Sequence, residues 1–128
     1  MNILVMCTGN SCRSQMAEGY LRKYSDHNIY SAGIETHGLN KNAIMVMSYD
    51  DIDISNHTSN SIDEFKDIEF DHIITVCDHA KESCPLFISS GKRHHFNFTD
   101  PSKSDNINDY IIVRDQIKEY CIRFLKSI

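Results

Sequence analysis

Hydrophobic residues follow two spacings along the chain, and these spacings predict strands that alternate with helices. Strands are expected at 2–6, 28–31, 72–76 and 93–98, the first and third as apolar runs typical of strands covered on both faces. Helices are expected at 14–24, 40–49 and 107–125, where apolar residues recur three and four positions apart, with a brief helix near 62–65. The alternation predicts one α/β domain over residues 1–128, with helices on both faces of a parallel sheet.

Each predicted helix has an apolar stripe that defines the expected core. Ser14 stands where it could cap the first helix, and Val46 lies at the margin of the second stripe. The stripes are Met16, Ala17, Tyr20, Leu21 and Tyr24; then Ala43, Ile44 and Met47; then Ile111, Val113, Ile117, Tyr120, Cys121 and Phe124.

Two of the predicted strands end on a cysteine, Cys7 after the first and Cys77 after the third. In parallel sheets covered by helices, ligands bind at the carboxyl ends of the strands. The loops that begin at Cys7, at Cys77 and after Phe98 are therefore expected to converge on one site.

The charge balance and the hydrophobic runs exclude several classes of protein. With 13 basic and 18 acidic residues the formal net charge is -5, which argues against a nucleic-acid-binding surface. No run approaches the ~20 apolar residues of a membrane span, and residues 1–7 lack the charged start and cleavage site of a signal peptide. We expect a cytoplasmic monomer that binds neither nucleic acid nor membrane.

The cysteines favour chemistry over a disulfide framework. They are odd in number, at Cys7, Cys12, Cys77, Cys84 and Cys121, and no secretory signal accompanies them. Reactive, metal-bound or buried thiols are the alternatives that remain.

The loop after Cys7 reads CTGNSCRS and has the features of an oxyanion site. If its backbone N–H groups point inward and the following helix adds its positive end, the loop forms a cradle for a tetrahedral oxyanion. The same field would stabilise a thiolate at Cys7. Arg13 could then hold two oxygens of the bound anion, and Ser14 could donate a hydrogen bond to the sulfur. A Walker-type loop is excluded because no Gly-Lys-Ser/Thr follows.

With the later Asp100-Pro101 pair, CTGNSCRS resembles the low-molecular-weight protein tyrosine phosphatase fold. The stretches SQMAEGY, YSAGIETHG, ISNHTS and VCDHAKESCP are similar to those of the thioredoxin-coupled arsenate reductases built on that fold. The resemblance implies a flavodoxin-like sheet of order 2-1-3-4 and the reduction of arsenate, with phosphate or sulfate as analogues. It also implies that the loop residues bind the anion; these are Thr8, Gly9, Asn10, Ser11, Cys12, Arg13 and Ser14.

By the same resemblance, three cysteines act in sequence. Cys7 attacks arsenate, Cys77 attacks Cys7 as arsenite leaves, and Cys84 attacks Cys77 to leave a disulfide for thioredoxin. Seven helical positions would span roughly 10 Å, at about 1.5 Å per residue. A disulfide tolerates Cα separations of only about 4.4 to 6.8 Å, so residues 78–90 are expected to rearrange on oxidation.

Cys77 and Cys84 also have two less specific interpretations. With His79, His94 and His95 they could form a zinc site, although no Cys-x-x-Cys or His-x-x-x-His pair is present. They could instead be buried structural thiols. Cys12 is interpreted as loop filling and Cys121 as part of a helix stripe.

Two further sets of residues follow from the resemblance. Asp100 is a candidate general acid for the leaving oxygen. Asn10, Glu18 and Ser31 match positions that hold potassium in some of the resembling reductases, but Asn60 stands where those proteins carry an Asp. The lost charge is expected to weaken a hard-cation site. His57 is a candidate to lie near Cys77 and aid its ionisation.

Three functions are therefore compared. The first is a thioredoxin-coupled arsenate reductase without a bound cofactor, which retains weak phosphatase activity. The second is a phosphatase of phosphotyrosine or small esters that uses Cys7, Arg13 and Asp100 alone. The third is a thiol-based redox or oxyanion sensor without turnover.

Overall fold

The computed structural model describes residues 1–83 and 91–128, and these form a layered α/β structure. The strands are β1 (Asn2–Cys7), β2 (Asn28–Gly33), β3 (His72–Thr75) and β4 (Lys92–His95). The helices are α1 (Arg13–Tyr24), α2 (Lys41–Tyr49), α3 (Asp78–Ser83) and α4 (Ile107–Ser127), with 3-10 helices at Ile62–Phe65 and Pro101–Lys103. No helix in these ranges is long and apolar enough to cross a membrane.

The sheet is parallel throughout and has the order β2-β1-β3-β4. Met6 in β1 pairs with Ala32 in β2 and with Thr75 in β3. Every residue from Ile3 to Met6 is fully buried, because β1 is central and both of its faces are covered. The predicted fold class and strand order are confirmed.

The helices pack largely as their stripes predict, since α1 lies against α4 and α2. Three details of the prediction are wrong. Val46 is fully buried, Tyr24 is 41% exposed, and Ser14 does not cap α1. Cys12 precedes the helix without a side-chain cap, and Ser14 lies inside the first turn with its hydroxyl near Cys7.

The last strand is shorter than the expected 93–98. It ends at His95 because its partner β3 ends at Thr75 and leaves no further strand to pair with. Phe96 N still donates to Thr75 O at 3.1 Å, and Phe98 N donates to Val76 O at 3.1 Å. These bonds hold the segment that leads to Asp100 close to the end of β3.

Candidate active site

The turn after β1 forms a tight loop around the sulfur of Cys7. Cys7 ends β1 and is buried, and α1 begins at Arg13 on the other side of the loop. Asn10 has a φ of 48°, in the left-handed region that asparagine tolerates better than most residues. Such a conformation persists only where surrounding bonds hold it.

Segment 35–40 orients the backbone of this loop. Its N–H groups donate to three loop carbonyls: Glu35 N to Thr8 O at 2.9 Å, His37 N to Gly9 O at 3.0 Å, and Asn40 N to Ser11 O at 2.9 Å. In a trans peptide the C=O and N–H groups point in opposite directions, and the described residues contain no cis peptide bond. The N–H groups of Gly9, Asn10 and Cys12 therefore point away from segment 35–40, as an anion cradle requires.

Ser14 and Asn10 support the Cys7 sulfur from behind the loop. Ser14 Oγ lies 3.0 Å from Cys7 Sγ, and Asn10 Nδ2 donates to Ser14 Oγ at 2.7 Å. Because Ser14 Oγ accepts this bond, its own hydrogen is available to the sulfur, and a donated bond favours a thiolate. All three side chains are buried, so these bonds lie in a low-dielectric environment.

Arg13 reaches from the start of α1 to the segment that follows β4. Its Nη1 donates to Phe98 O at 2.8 Å, and its Nη2 lies 3.9 Å from Asp100 Oδ2. Asp100 Oδ1 accepts from the N–H of Ser102 at 3.0 Å and from its hydroxyl at 2.7 Å. These bonds fix the direction of the carboxylate, and its other oxygen faces Arg13.

Opposing effects set the pKa of Asp100. Burial alone would raise it, but the hydrogen bonds from Ser102 and the positive charges of Arg13 and Lys103 lower it below the usual value of an aspartate. The carboxyl group is therefore ionised at neutral pH in the ligand-free protein.

Cys77 lies two residues beyond the end of β3, directly before α3. Its buried sulfur accepts a hydrogen bond from Ala80 N, at 3.4 Å, in the first turn of α3. Thr8 Oγ1 lies 3.3 Å from Cys77 Sγ and 3.3 Å from His79 Nδ1. Since Thr8 directly follows Cys7, it connects the two cysteine loops.

A single depression of about 590 Å³ unites these groups. Cys7, Arg13, Cys77 and Asp100 all line it, as do the loop residues Thr8, Gly9, Ser11 and Cys12. Asn10 and Ser14 are fully buried behind the loop. The structure thus brings the predicted residues together, while their catalytic roles stay predictions.

Of the three remaining cysteines, the structure describes Cys12 and Cys121, and neither has a reactive thiol. Cys84, the third residue of the expected relay, lies outside the described residues. Burial raises the pKa of Cys121 to about 12, and burial together with the nearby Cys7 and Asp100 raises that of Cys12 to about 12. Both thiols are therefore protonated at neutral pH.

The structure corrects the expected place of His57. Its Nδ1 lies 3.0 Å from Gln15 Oε1 and its Nε2 lies 3.7 Å from Glu18 Oε2, away from the pocket that Cys77 lines. The histidine beside Cys77 is His79, which the sequence suggested only as a possible zinc ligand. The available signal was its position, two residues after a cysteine that ends a strand.

The described side chains do not form a zinc site, because no three His, Cys, Asp or Glu residues of 1–83 and 91–128 are grouped as metal ligands. His95 binds Asp78 instead, with its Nε2 2.7 Å from Asp78 Oδ1, and His94 Nε2 lies 3.0 Å from His72 Nδ1.

The residues at the expected potassium position do not fit that ion. Asn10 turns its NH2 group, rather than its carbonyl oxygen, toward Ser31 at 3.0 Å. Both carboxylate oxygens of Glu18 already accept hydrogen bonds, one from Ser31 and one from Arg22. Asn60 contributes a neutral amide whose oxygen accepts from the Thr58 hydroxyl. A hard cation binds through oxygen lone pairs, and the oxygens named here already accept hydrogen bonds from the protein.

Comparison with known proteins extends this picture over nearly the whole chain. A family model described as low molecular weight phosphotyrosine protein phosphatase matches residues 2–128. Arsenate reductase 1 of Staphylococcus saprophyticus is 48% identical over 118 residues, covering 91% of this chain and 89% of that protein. The arsenate reductase of Oceanobacillus iheyensis is 46% identical and covers 98% and 95%. A solved structure of an arsenate reductase in the phosphate-binding state superposes with a TM-score of 0.89 at 29% identity, covering 99% of this chain and 98% of that one.

Proposed function

Because the chain belongs to the low molecular weight phosphotyrosine protein phosphatase family and the relatives above are arsenate reductases, we propose that it reduces arsenate to arsenite. The observation that carries the proposal is that Cys7 and Cys77 line one pocket and are joined through Thr8. A phosphatase of this fold needs the first cysteine alone. Reduction of arsenic(V) needs a second thiol that can reach the first.

In the first step the loop binds arsenate and Cys7 attacks it. The N–H groups of the loop and the guanidinium of Arg13 hold the oxyanion, while the Ser14 hydroxyl supports the thiolate. A bond forms between Cys7 Sγ and arsenic, and a hydroxide leaves as water after it takes a proton. Phosphate and sulfate have the same tetrahedral shape and are expected to compete.

Asp100 supplies the proton in this scheme. Its lowered pKa keeps it ionised in the free protein. A bound oxyanion adds negative charge beside the carboxylate and engages Arg13, and both changes favour protonation of Asp100. Asp100 is thus a general acid whose proton arrives with the substrate.

In the second step the electrons move from sulfur to arsenic. The Cys77 thiolate attacks Cys7 Sγ, the sulfur–arsenic bond breaks, and its electron pair stays on arsenic, which leaves as arsenite. Cys84 then attacks Cys77, releases the Cys7 thiolate and leaves a disulfide between positions 77 and 84. A dithiol of the thioredoxin class returns two electrons, and we place this exchange in the cytoplasm with the protein as a monomer.

The last exchange requires α3 to change shape. Residues 78–83 are helical, and helical geometry would separate positions seven residues apart by roughly 10 Å. A disulfide spans Cα distances of only about 4.4 to 6.8 Å. We therefore propose that α3 unwinds when Cys77 and Cys84 join, which slower hydrogen exchange of residues 78–83 in the reduced form would support.

The test is arsenate-dependent consumption of NADPH in the presence of thioredoxin and thioredoxin reductase. The wild-type protein should turn over many times, Cys84→Ser should stop after one turnover, and Cys121→Ala should match the wild type as a thiol control. Hydrolysis of p-nitrophenyl phosphate should be unchanged in Cys84→Ser. If none of these proteins produces arsenite, the proposal is wrong.

The second candidate function is phosphomonoester hydrolysis, favoured by the family name and by the Cys7–Arg13–Asp100 arrangement in one pocket. This activity would require none of the later cysteines. If ester hydrolysis is fast, arsenate is not reduced and Cys77→Ser has no effect, this function replaces the first.

A further inference from the structure

A continuous path of hydrogen bonds runs from the surface of α1 to the Cys7 sulfur. The bonds are Arg22 Nε to Glu18 Oε2 at 2.8 Å, Ser31 Oγ to Glu18 Oε1 at 2.5 Å, Asn10 Nδ2 to Ser31 Oγ at 3.0 Å, Asn10 Nδ2 to Ser14 Oγ at 2.7 Å, and Ser14 Oγ to Cys7 Sγ at 3.0 Å. Each bond has one direction: the Asn10 NH2 group can only donate and the Glu18 carboxylate can only accept, so Ser31 accepts from Asn10 and donates to Glu18. The Ser14 hydroxyl is thus connected to Glu18 through Asn10 and Ser31.

Glu18 is the ionisable member of this path and it is nearly buried, with 7% of its surface exposed. A buried carboxylate needs a compensating charge to remain ionised without a large cost. Arg22 provides that charge at 2.8 Å, and its Nη2 is fixed by a second bond to Ile29 O at 2.6 Å. His57, 3.7 Å from Glu18, is a poor substitute, because burial lowers its pKa more than the charge of Glu18 raises it, and the nearby Arg22 lowers it further.

We propose that Arg22 is a positioning residue for Cys7, which neutralises Glu18 in place of a bound potassium ion and so holds Ser14 against the nucleophilic sulfur. Arg22 adds a cause to the misfit of potassium at Asn10, Glu18 and Ser31, because a side chain of the protein already supplies the cation at Glu18. Loss of Arg22 would leave a negative charge at one end of the path, and this charge disfavours a thiolate at the other end.

The inference rests on the proposed role of Cys7, but its test does not require arsenate reduction. Reduced protein is treated with iodoacetamide at neutral pH, and alkylation of Cys7 is followed by residue-resolved mass spectrometry. Arg22→Gln should slow this reaction about three- to tenfold, the size of effect that one ordinary hydrogen bond has, because the variant weakens the bond from Ser14 to the sulfur without removing either group. Arg22→Lys keeps the charge but loses the fork that binds both Glu18 and Ile29 O, so its rate should lie between those of the wild type and Arg22→Gln. Lys23→Gln, an equal charge change at an exposed neighbour, should stay within about twofold of the wild type.

A double-mutant cycle shows whether the effect passes through Glu18. Glu18→Gln removes the charge that Arg22 compensates, so adding Arg22→Gln to it should slow alkylation no further. Equal slowing by Arg22→Gln in both backgrounds would indicate general damage and overturn the proposal.

Cation dependence gives the second readout. Potassium chloride should not change the alkylation rate of the wild type relative to tetramethylammonium chloride at the same ionic strength, and it should accelerate Arg22→Gln. A wild-type rate that rises with potassium, or an Arg22→Gln rate equal to that of Lys23→Gln, would contradict the proposal.

Discussion

The two cysteines at the ends of β1 and β3 have contrasting surroundings. Cys7 lies in a loop whose carbonyls are bound by segment 35–40 and whose Asn10 side chain is fully buried and hydrogen-bonded. Cys77 directly precedes α3, a helix of six residues that begins at Asp78. Asp78 joins this helix to the segment around β4 through the side chains of His95 and Asn97. Asp78 is largely exposed, so these ties are weak.

The difference matches two chemical tasks. An anion cradle works by being in place before the substrate arrives, so its bonds must be numerous and buried. A cysteine that exchanges one partner sulfur for another must change its position. A short helix held by exposed contacts can unfold locally at a small cost in free energy and so allow this movement. The proposed reduction of arsenate thus predicts that the first cysteine stays fixed and that the second is released.

The largest expected effect comes from replacing Cys7, the cysteine in the anion-binding loop. Cys7→Ser should abolish both arsenate reduction and ester hydrolysis, a loss on the order of 10⁴-fold or more, since it removes the nucleophile of both reactions. Cys77→Ser should abolish arsenite formation and leave ester hydrolysis within about twofold. Equal losses of both activities in Cys77→Ser would contradict the division of labour between the two cysteines.

Gly33→Ala should distort the backbone of the anion-binding loop, because Gly33 packs directly against it. An added Cβ would clash with Glu35 O and would lie 2.7 Å from Thr8 O and 2.8 Å from Asn10 N, all backbone atoms. We expect a loss of stability of about 2–3 kcal/mol and reduced turnover. Gly38→Ala is the control: it has open space and only the strain of its φ of 74°, about 1 kcal/mol. Urea unfolding of both variants tests this, and equal losses would show that the loop is not tightly packed.

Lowering the pH should destabilise β3 and β4, the strands next to Cys77, before it destabilises β2. Burial lowers the pKa of His72 and His94, which adjoin each other on β3 and β4. In the unfolded chain these histidines take up protons near pH 6.5, whereas in the folded protein their pKa values are lower. The free energy of unfolding is therefore expected to fall as the pH drops from about 6.5 through the folded-state pKa values. Hydrogen exchange at pH 7 and pH 5 should show faster opening of β3 and β4 than of β2. His94→Gln should reduce this pH dependence; an unchanged dependence would be the contrary result.

The smallest expected effect concerns the contact between Asp78 and His95, which joins α3 to β4. Asp78→Asn should change the free energy of unfolding by less than about 1 kcal/mol, because the carboxylate is mostly exposed. It should nevertheless raise the hydrogen exchange of Ala80 and Lys81 in α3. Asp115→Asn, which removes an exposed partner of Arg114, should leave that exchange unchanged. If the two variants behave alike, α3 is not restrained by Asp78.

Local sequence signals predicted much of this arrangement. The apolar runs located β1 and β3, and the Cys7 loop could be identified from its glycine, its arginine and the helix that follows. The errors arose where distant residues compete with local preference. Ser14 has the chemistry of a helix cap, yet it serves Cys7 and Asn10 because the loop brings them within 3.0 Å.

Contacts between remote segments were beyond the reach of sequence patterns. The bonds from segment 35–40 to the loop, and the approach of Thr8 to Cys77 across 69 positions, depend on how the sheet aligns its strands. The same holds for Arg22, whose pairing with Glu18 at i, i+4 is local, while its bond to Ile29 O and the path to Cys7 are tertiary.

The most direct test of the account is a single turnover of Cys84→Ser with one equivalent of arsenate and no external reductant, followed by mass spectrometry of the quenched protein. The account predicts one arsenite per chain and a disulfide between Cys7 and Cys77, trapped because the third thiol is missing. Absence of arsenite, or release of arsenite with Cys77 left as a free thiol, would contradict it.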